Sequence, residues 1–247
     1  MSGLAHFLEA DGLPTAVIGL IREHVQRMRP PRALAVPFEL GRPMGAPDEP
    51  AFQRKVLLAL LDLFKADSGP VLADFPDKAP GDAADAADME GWACPVTLKS
   101  PPAGDDAAAL QEALEDEIAR LQPWYDEAVA KRGRTTVGIS GIEIGEIPAL
   151  FTAFSRDLGM ASPDPDKTMP VLVKLATDDL KAFYFTAATA KPGRVSDVAL
   201  ADWLWAETAA GRALLALRKR CLDSDDPATV HLGERALVPN HQRDRVG

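Results

Sequence analysis

Arg22, Glu23 and His24 stand in a row directly behind the apolar run PTAVIGL, and Glu39, Gly41, Arg42 and Gly45 gather behind a second run, ALAVPF. A histidine beside a carboxylate can shuttle protons near neutral pH. A guanidinium can grip a carboxylate or phosphate through two parallel hydrogen bonds, and glycines let main chain approach a ligand closely. The same residues also have plainer uses: an exposed helix start for residues 22–24, and a loop bonded to itself for Glu39 and Arg42. Placement separates these readings. In an open α/β sheet, ligands bind beyond the carboxyl ends of the strands, and both groups lie there if the two runs are strands.

The elements around them support that layout. Ser2 opens a short helix through Ala10, Asp11 and Gly12 make a turn, and PTAVIGL has the length and branched side chains of a buried strand. The segment REHVQRMR reads as a short polar helix stopped by Pro30 and Pro31, after which ALAVPF supplies a second strand. Two buried strands joined by a helix imply a parallel βαβ crossover. Behind the Gly/Pro loop, Asp48 is expected to cap a helix carrying Phe52, Val56, Leu60 and Leu63 on the face toward the sheet. The fold class expected is α/β, with a small N-terminal parallel sheet followed by an acidic, mostly helical half.

Three sections follow from composition: an α/β segment over 1–66, a linker or long loop over 67–104, rich in Ala, Asp, Gly and Pro, and a helical region over 105–247. Asp105 and Asp106 can cap a helix with Leu110, Leu114, Ile118 and Leu121 on one face, which Pro123 bends or restarts. TTVGISG reads as a lone strand or turn. Further helices are expected over 145–158, 177–190 and 196–221, and the tail from His231 is expected to be irregular. Trp203 and Leu204 share a face with Leu200, while Trp205 turns away toward either core or a partner.

Composition excludes several classes of function. The chain has 247 residues, 47% of them hydrophobic, with 37 acidic against 27 basic side chains, a net charge of −10 and a pI near 4.9. That balance argues against tracking a nucleic-acid backbone. The excess acid lies beyond residue 66, since residues 1–66 hold 8 basic and 7 acidic groups. No apolar run reaches the length of a membrane span and no leader pattern opens the chain, so the cytoplasm is the expected compartment. Cys94 and Cys221 lie far apart and are expected to be reduced and unreactive. His6, His231 and His241 are too dispersed for a metal site. No phosphate-binding or dinucleotide glycine pattern occurs, and the cofactor stays open.

Residues 3–64, GLAHFLEADGLPTAVIGLIREHVQRMRPPRALAVPFELGRPMGAPDEPAFQRKVLLALLDLF, have PPRALAVPFELGRPMG at their centre. This stretch resembles the C-terminal part of the selenoprotein B family of glycine, sarcosine, betaine and D-proline reductases, especially its uncharacterised bacterial relatives. The likeness covers about a quarter of the chain. It implies a reductase-like oxidoreductase chemistry on small amino acids or amines, carried in the family by a selenocysteine or cysteine shortly before the helix that looks like the one opening at Ser2. A helix N-terminus favours a thiolate or selenolate there. This chain opens Met1, Ser2, Gly3 and offers no counterpart, so no catalytic residue carries over.

Two accounts of that departure are expected: a reading frame cut at an in-frame UGA codon or a misassigned start, or a paralogue that dropped the redox loop and kept the ligand-facing edge. Two functions follow. One is a reductase-component-like protein holding a small amino-acid-like or anionic ligand through Glu39, Arg42, Gly41, Gly45, Arg22 and His24. The other is a non-enzymatic interaction protein whose helical half and tryptophans dock a partner subunit or a second copy.

Overall fold

A strand buried on both faces reads as a continuous apolar run, and both such runs become strands of one parallel sheet. The computed structural model describes residues 2–38, 40–79, 96–102, 104–190, 197–239 and 242–243. Its contacts divide the chain into two compact units, Met1–Glu90 and Gly91–Gly247. The architecture is mixed α/β, a small three-stranded parallel sheet followed in sequence by helices.

In the first unit, helix α1 (Ser2–Ala10) precedes strand β1 (Val17–Gly19), helix α2 (Arg22–Met28) crosses to strand β2 (Arg32–Ala35), and helix α3 (Pro50–Asp62) leads to strand β3 (Val71–Asp74). The strands are parallel in the order β1-β2-β3. β3 was not expected, because it falls inside the stretch that composition assigns to a linker. Only four residues long and flanked by Gly69-Pro70 and Phe75-Pro76, it is too short to show a period of its own.

The register pairs Ile18 with Leu34 and Leu34 with Ala73, so these side chains share one face of the sheet. Phe52, Val56, Leu60 and Leu63 pack against that face, as their spacing predicts. Rings of Phe38, Phe52 and Phe75 close it, with centroids 5.6–5.9 Å apart. Asp48 does not cap α3. It takes a left-handed conformation with φ of 61°, and the helix starts instead at Pro50, whose fixed φ suits a first turn and whose missing N–H leaves one fewer donor to cap.

On the opposite face Gly19 meets α2. A Cβ built there would stand 2.1 Å from Val25 Cγ2, and Val25 is buried. Replacing Gly19 with alanine is expected to cost about 2 kcal/mol by forcing α2 off the sheet. Denaturant unfolding checks this, and the companion substitution Val25→Ala should recover part of the loss by making room.

In the second unit, α4 (Ala107–Arg132) runs unbroken through Pro123, capped by Asp106, whose side chain accepts the Ala108 N–H at 3.0 Å. α5 (Ile147–Arg156) follows a single 3₁₀ turn, and α6 (Met169–Ala188) begins eight residues before its expected start because Pro170, which reads as a breaker, sits in the first turn where proline is tolerated. The long helix expected over 196–221 is two, α7 (Asp197–Glu207) and α8 (Ala209–Leu222). Thr208 divides them: its hydroxyl donates to the Leu204 carbonyl at 2.7 Å and accepts the Gly211 N–H at 3.1 Å.

The tail is not irregular throughout. Asp226 caps α9 (Pro227–Arg235), accepting from the Thr229 N–H and hydroxyl, and Leu232, Leu237 and Val238 are buried. TTVGISG forms no strand. Trp203, Leu204 and Trp205 all lie in the core of this unit, which settles Trp205 as interior. No described helix is long and apolar enough to cross a membrane.

Candidate functional site

Glu9 fixes which end of α1 faces which end of the sheet. Its carboxylate, near the end of α1, accepts from Arg32 Nη1 at 2.7 Å, and Arg32 is the first residue of β2. The Thr15 backbone N–H, ahead of the Arg32 guanidinium, holds this carboxyl below the usual glutamate range. With its last turn anchored at the amino end of β2, α1 places its first turn toward the carboxyl end. There Ser2 and Gly3 border a groove of about 330 Å³, together with Leu20 and Ile21 after β1, His24 of α2 and Leu40 of the loop after β2.

The residues singled out from the sequence divide around this edge. His24 is exposed and lines the groove. Arg22, by contrast, is engaged: Nε and Nη2 donate to the two Asp74 oxygens at 2.7 and 3.0 Å, and Nη1 donates to Gln26. This bidentate pair ties the segment after β1 to the end of β3. The hydrogen bonds from Arg22 hold the Asp74 carboxyl below its usual range, and Asp74 raises the guanidinium in turn. Glu23 is exposed on α2.

The loop after β2 turns tightly, the Gly45 N–H donating to the Arg42 carbonyl at 2.9 Å. Gly41 and Arg42 are exposed, and Gly41 has φ of 90°. Gly45 answers to packing. Its φ is 83°, and a Cβ there would lie 2.8 Å from the Phe52 ring, so the residue lets the loop close onto α3. Glu39 lies outside the described residues. Among the described residues no group of three or more histidine, cysteine or carboxylate side chains could hold a metal ion.

Sequence reasoning missed Asp74, hidden in the presumed linker, and two buried carboxylates of the second unit. Glu117 is 3% exposed; it accepts the Ala209 N–H at 2.8 Å, the Ala210 N–H at 3.4 Å and the Tyr184 hydroxyl at 2.7 Å. Burial outweighs these bonds and pushes its carboxyl up. Its signal was present, since residue 117 falls on the same helical stripe as Leu110, Leu114, Ile118 and Leu121. Asp179, fully buried, gathers the N–H groups of Gly138, Ile139 and Ser140 and the Ser140 hydroxyl. Both carboxylates are occupied in holding main chain, and a cleft beside α4, α5 and α8 is about 30 Å³, room for about one water.

Cys221 is a free, buried thiol pushed up to about 11 by burial. It is inert as a nucleophile near neutral pH. In a Cys94→Ser variant, thiol reagent should label Cys221 only as fast as the second unit unfolds; prompt labelling under native conditions would contradict this burial. Cys94 itself lies outside the described residues. No protein-family model, curated protein or solved structure matches the chain.

Proposed function

We propose that the first unit is the ligand-holding part of a reductase component similar to the selenoprotein B family, and that it binds a small carboxylate-bearing ligand at the carboxyl edge of its parallel sheet. The observation that carries this reading is the convergence of the first turn of α1, His24 and the loop after β2 on one groove. Ligands of open α/β sheets sit at this edge because the loops and helix N-termini that converge there present main-chain N–H groups.

The resemblance adds a reason for the arrangement. In that family the reactive selenium or sulfur comes shortly before the helix that α1 resembles, and here the first turn of that helix borders the groove, beside an imidazole able to pass a proton. For these 247 residues the proposed activity is binding. Reductive cleavage would need a selenol or thiol at the place before Ser2. The competing view, a helical half that docks a partner through its tryptophans and amphipathic faces, draws no support from Trp203 and Trp205, which are each only 4% exposed.

Calorimetric titration with glycine, sarcosine, betaine, proline and simple carboxylates tests the reading. At least one carboxylate should bind saturably, and His24→Ala, at an exposed position on the groove's lining, should weaken it about tenfold while leaving the melting temperature within experimental scatter. A lower melting temperature with unchanged affinity would make His24 a structural residue of α2. Absence of saturable binding by any member of the panel would overturn the proposal.

A further inference from the structure

The groove, which runs from the carboxyl edge back along β1 to Val17 and Met28, has a composition that narrows what it can hold. Val17, Ile18, Leu20, Ile21, Met28 and Leu40 supply most of its wall, and the side chains of His24 and Ser2 are the polar exceptions. Among the described residues no side-chain carboxylate lines it. At about 330 Å³ it lies at the low end of small-molecule sites and is far larger than a two-carbon amino acid. Resting on the reading that a carboxylate-bearing ligand sits at this edge, we infer that the ligand is a short-chain aliphatic monocarboxylate rather than glycine or another zwitterion.

Three steps lead there. A zwitterion brings an ammonium group, and an ammonium moved against isoleucine, leucine and methionine side chains loses hydration with no carboxylate among the described lining residues to replace it. Glycine offers only its α-methylene, held between two charged groups, so the apolar wall contributes little to its binding. An aliphatic chain gains about fourfold in affinity for each methylene taken from water. The head group is set by the donors at the groove, the His24 imidazole N–H and the main-chain N–H groups in the first turn of α1, which match a carboxylate and leave an ammonium unmatched.

Methyl-labelled spectra of the 247-residue protein locate binding residue by residue. Hexanoate should produce saturable shifts at the Ile18, Leu20 and Ile21 methyls, with affinity falling about fourfold per methylene from hexanoate to propionate. Hexylamine and hexanol should bind about tenfold more weakly or less. His24→Ala, at an exposed position, should weaken hexanoate about tenfold without changing the melting temperature. Leu40→Glu, also at an exposed position, should weaken it by placing a like charge at the groove.

Equal affinity for hexylamine or hexanol would overturn carboxylate recognition. Equal shifts at Leu57 and Leu61, exposed on α3, would show general adsorption of an aliphatic chain and overturn the site. If glycine binds at the groove methyls more tightly than hexanoate, this inference falls while the proposed carboxylate site stands. If no carboxylate binds, both fall.

Discussion

Glu117→Ala should lower the stability of the helical unit by about 3 kcal/mol. Its carboxylate sits at the N-terminus of α8 and accepts the N–H groups of Ala209 and Ala210, neither of which has an intrahelical acceptor, together with the Tyr184 hydroxyl. Ala209, Ala210 and Tyr184 are all fully buried, so water cannot replace the lost acceptor. Each orphaned buried donor costs about 1–3 kcal/mol, and relief from burying the carboxylate offsets part of the total. Glu117→Gln keeps an acceptor and most of the volume, and should cost about 1 kcal/mol.

The pH dependence gives the same interaction a second readout. Burial raises the folded-state pKa of Glu117 above its unfolded value, so the folded state holds this proton more tightly. Its contribution to stability is therefore fully present below the usual glutamate value of 4.5 and is lost as pH rises from there through the folded pKa. Glu117→Gln removes that loss. The stability gap between wild type and Glu117→Gln should narrow as pH rises from about 4 toward neutrality, measured by denaturant unfolding at each pH. A gap that widens over this range would mean that the carboxylate is favoured, not penalised, in the fold.

How much of this was legible in the sequence depends on whether a residue's job is set by neighbours along the chain or across it. β2 around Leu34 was legible because a strand covered on both faces must be apolar at every position, β1 because its run is apolar and branched although Val17 and Ile18 end half-buried, and α3 because its sheet-facing residues Phe52, Val56 and Leu60 repeat at helical spacing. β3 was not, since a strand of four residues carries no period of its own. The groove was half legible: His24 follows β1 directly, but Leu40 and Ser2 reach it only through the fold. Asp116 and Glu117 are adjacent in sequence and opposite in fate. The first pairs with Arg120 on the surface, and the second turns inward to a helix ninety residues away. Their order along the stripe of Leu114, Ile118 and Leu121 distinguishes them, whereas their chemistry does not.

Asp179→Ala should cost as much as Glu117→Ala and act on a different element. Asp179 lies on α6 with no exposed surface, and its two oxygens gather the segment after α4: Oδ1 takes the Gly138 and Ile139 N–H groups at 2.8 and 3.1 Å, and Oδ2 takes the Ser140 N–H at 2.8 Å and its hydroxyl at 2.5 Å. Four donors on one carboxylate replace the ladder that a strand would have given this segment. Gly138 and Ile139 are exposed, so their N–H groups can return to water when the carboxylate is gone, while buried Ser140 cannot rehydrate. The expected loss is therefore about 3 kcal/mol, below the sum of four charge-assisted bonds.

Asp179→Asn separates charge from shape, because its amide keeps one acceptor oxygen and turns a donor toward a cluster that already consists of donors. It should lose about 2 kcal/mol, and amide exchange at Gly138, Ile139 and Ser140 should speed up in both variants before the α6 helix itself opens. If exchange at these three amides stayed slow in Asp179→Ala, the segment would owe its conformation to packing by Val137 and Ile142 rather than to the carboxylate.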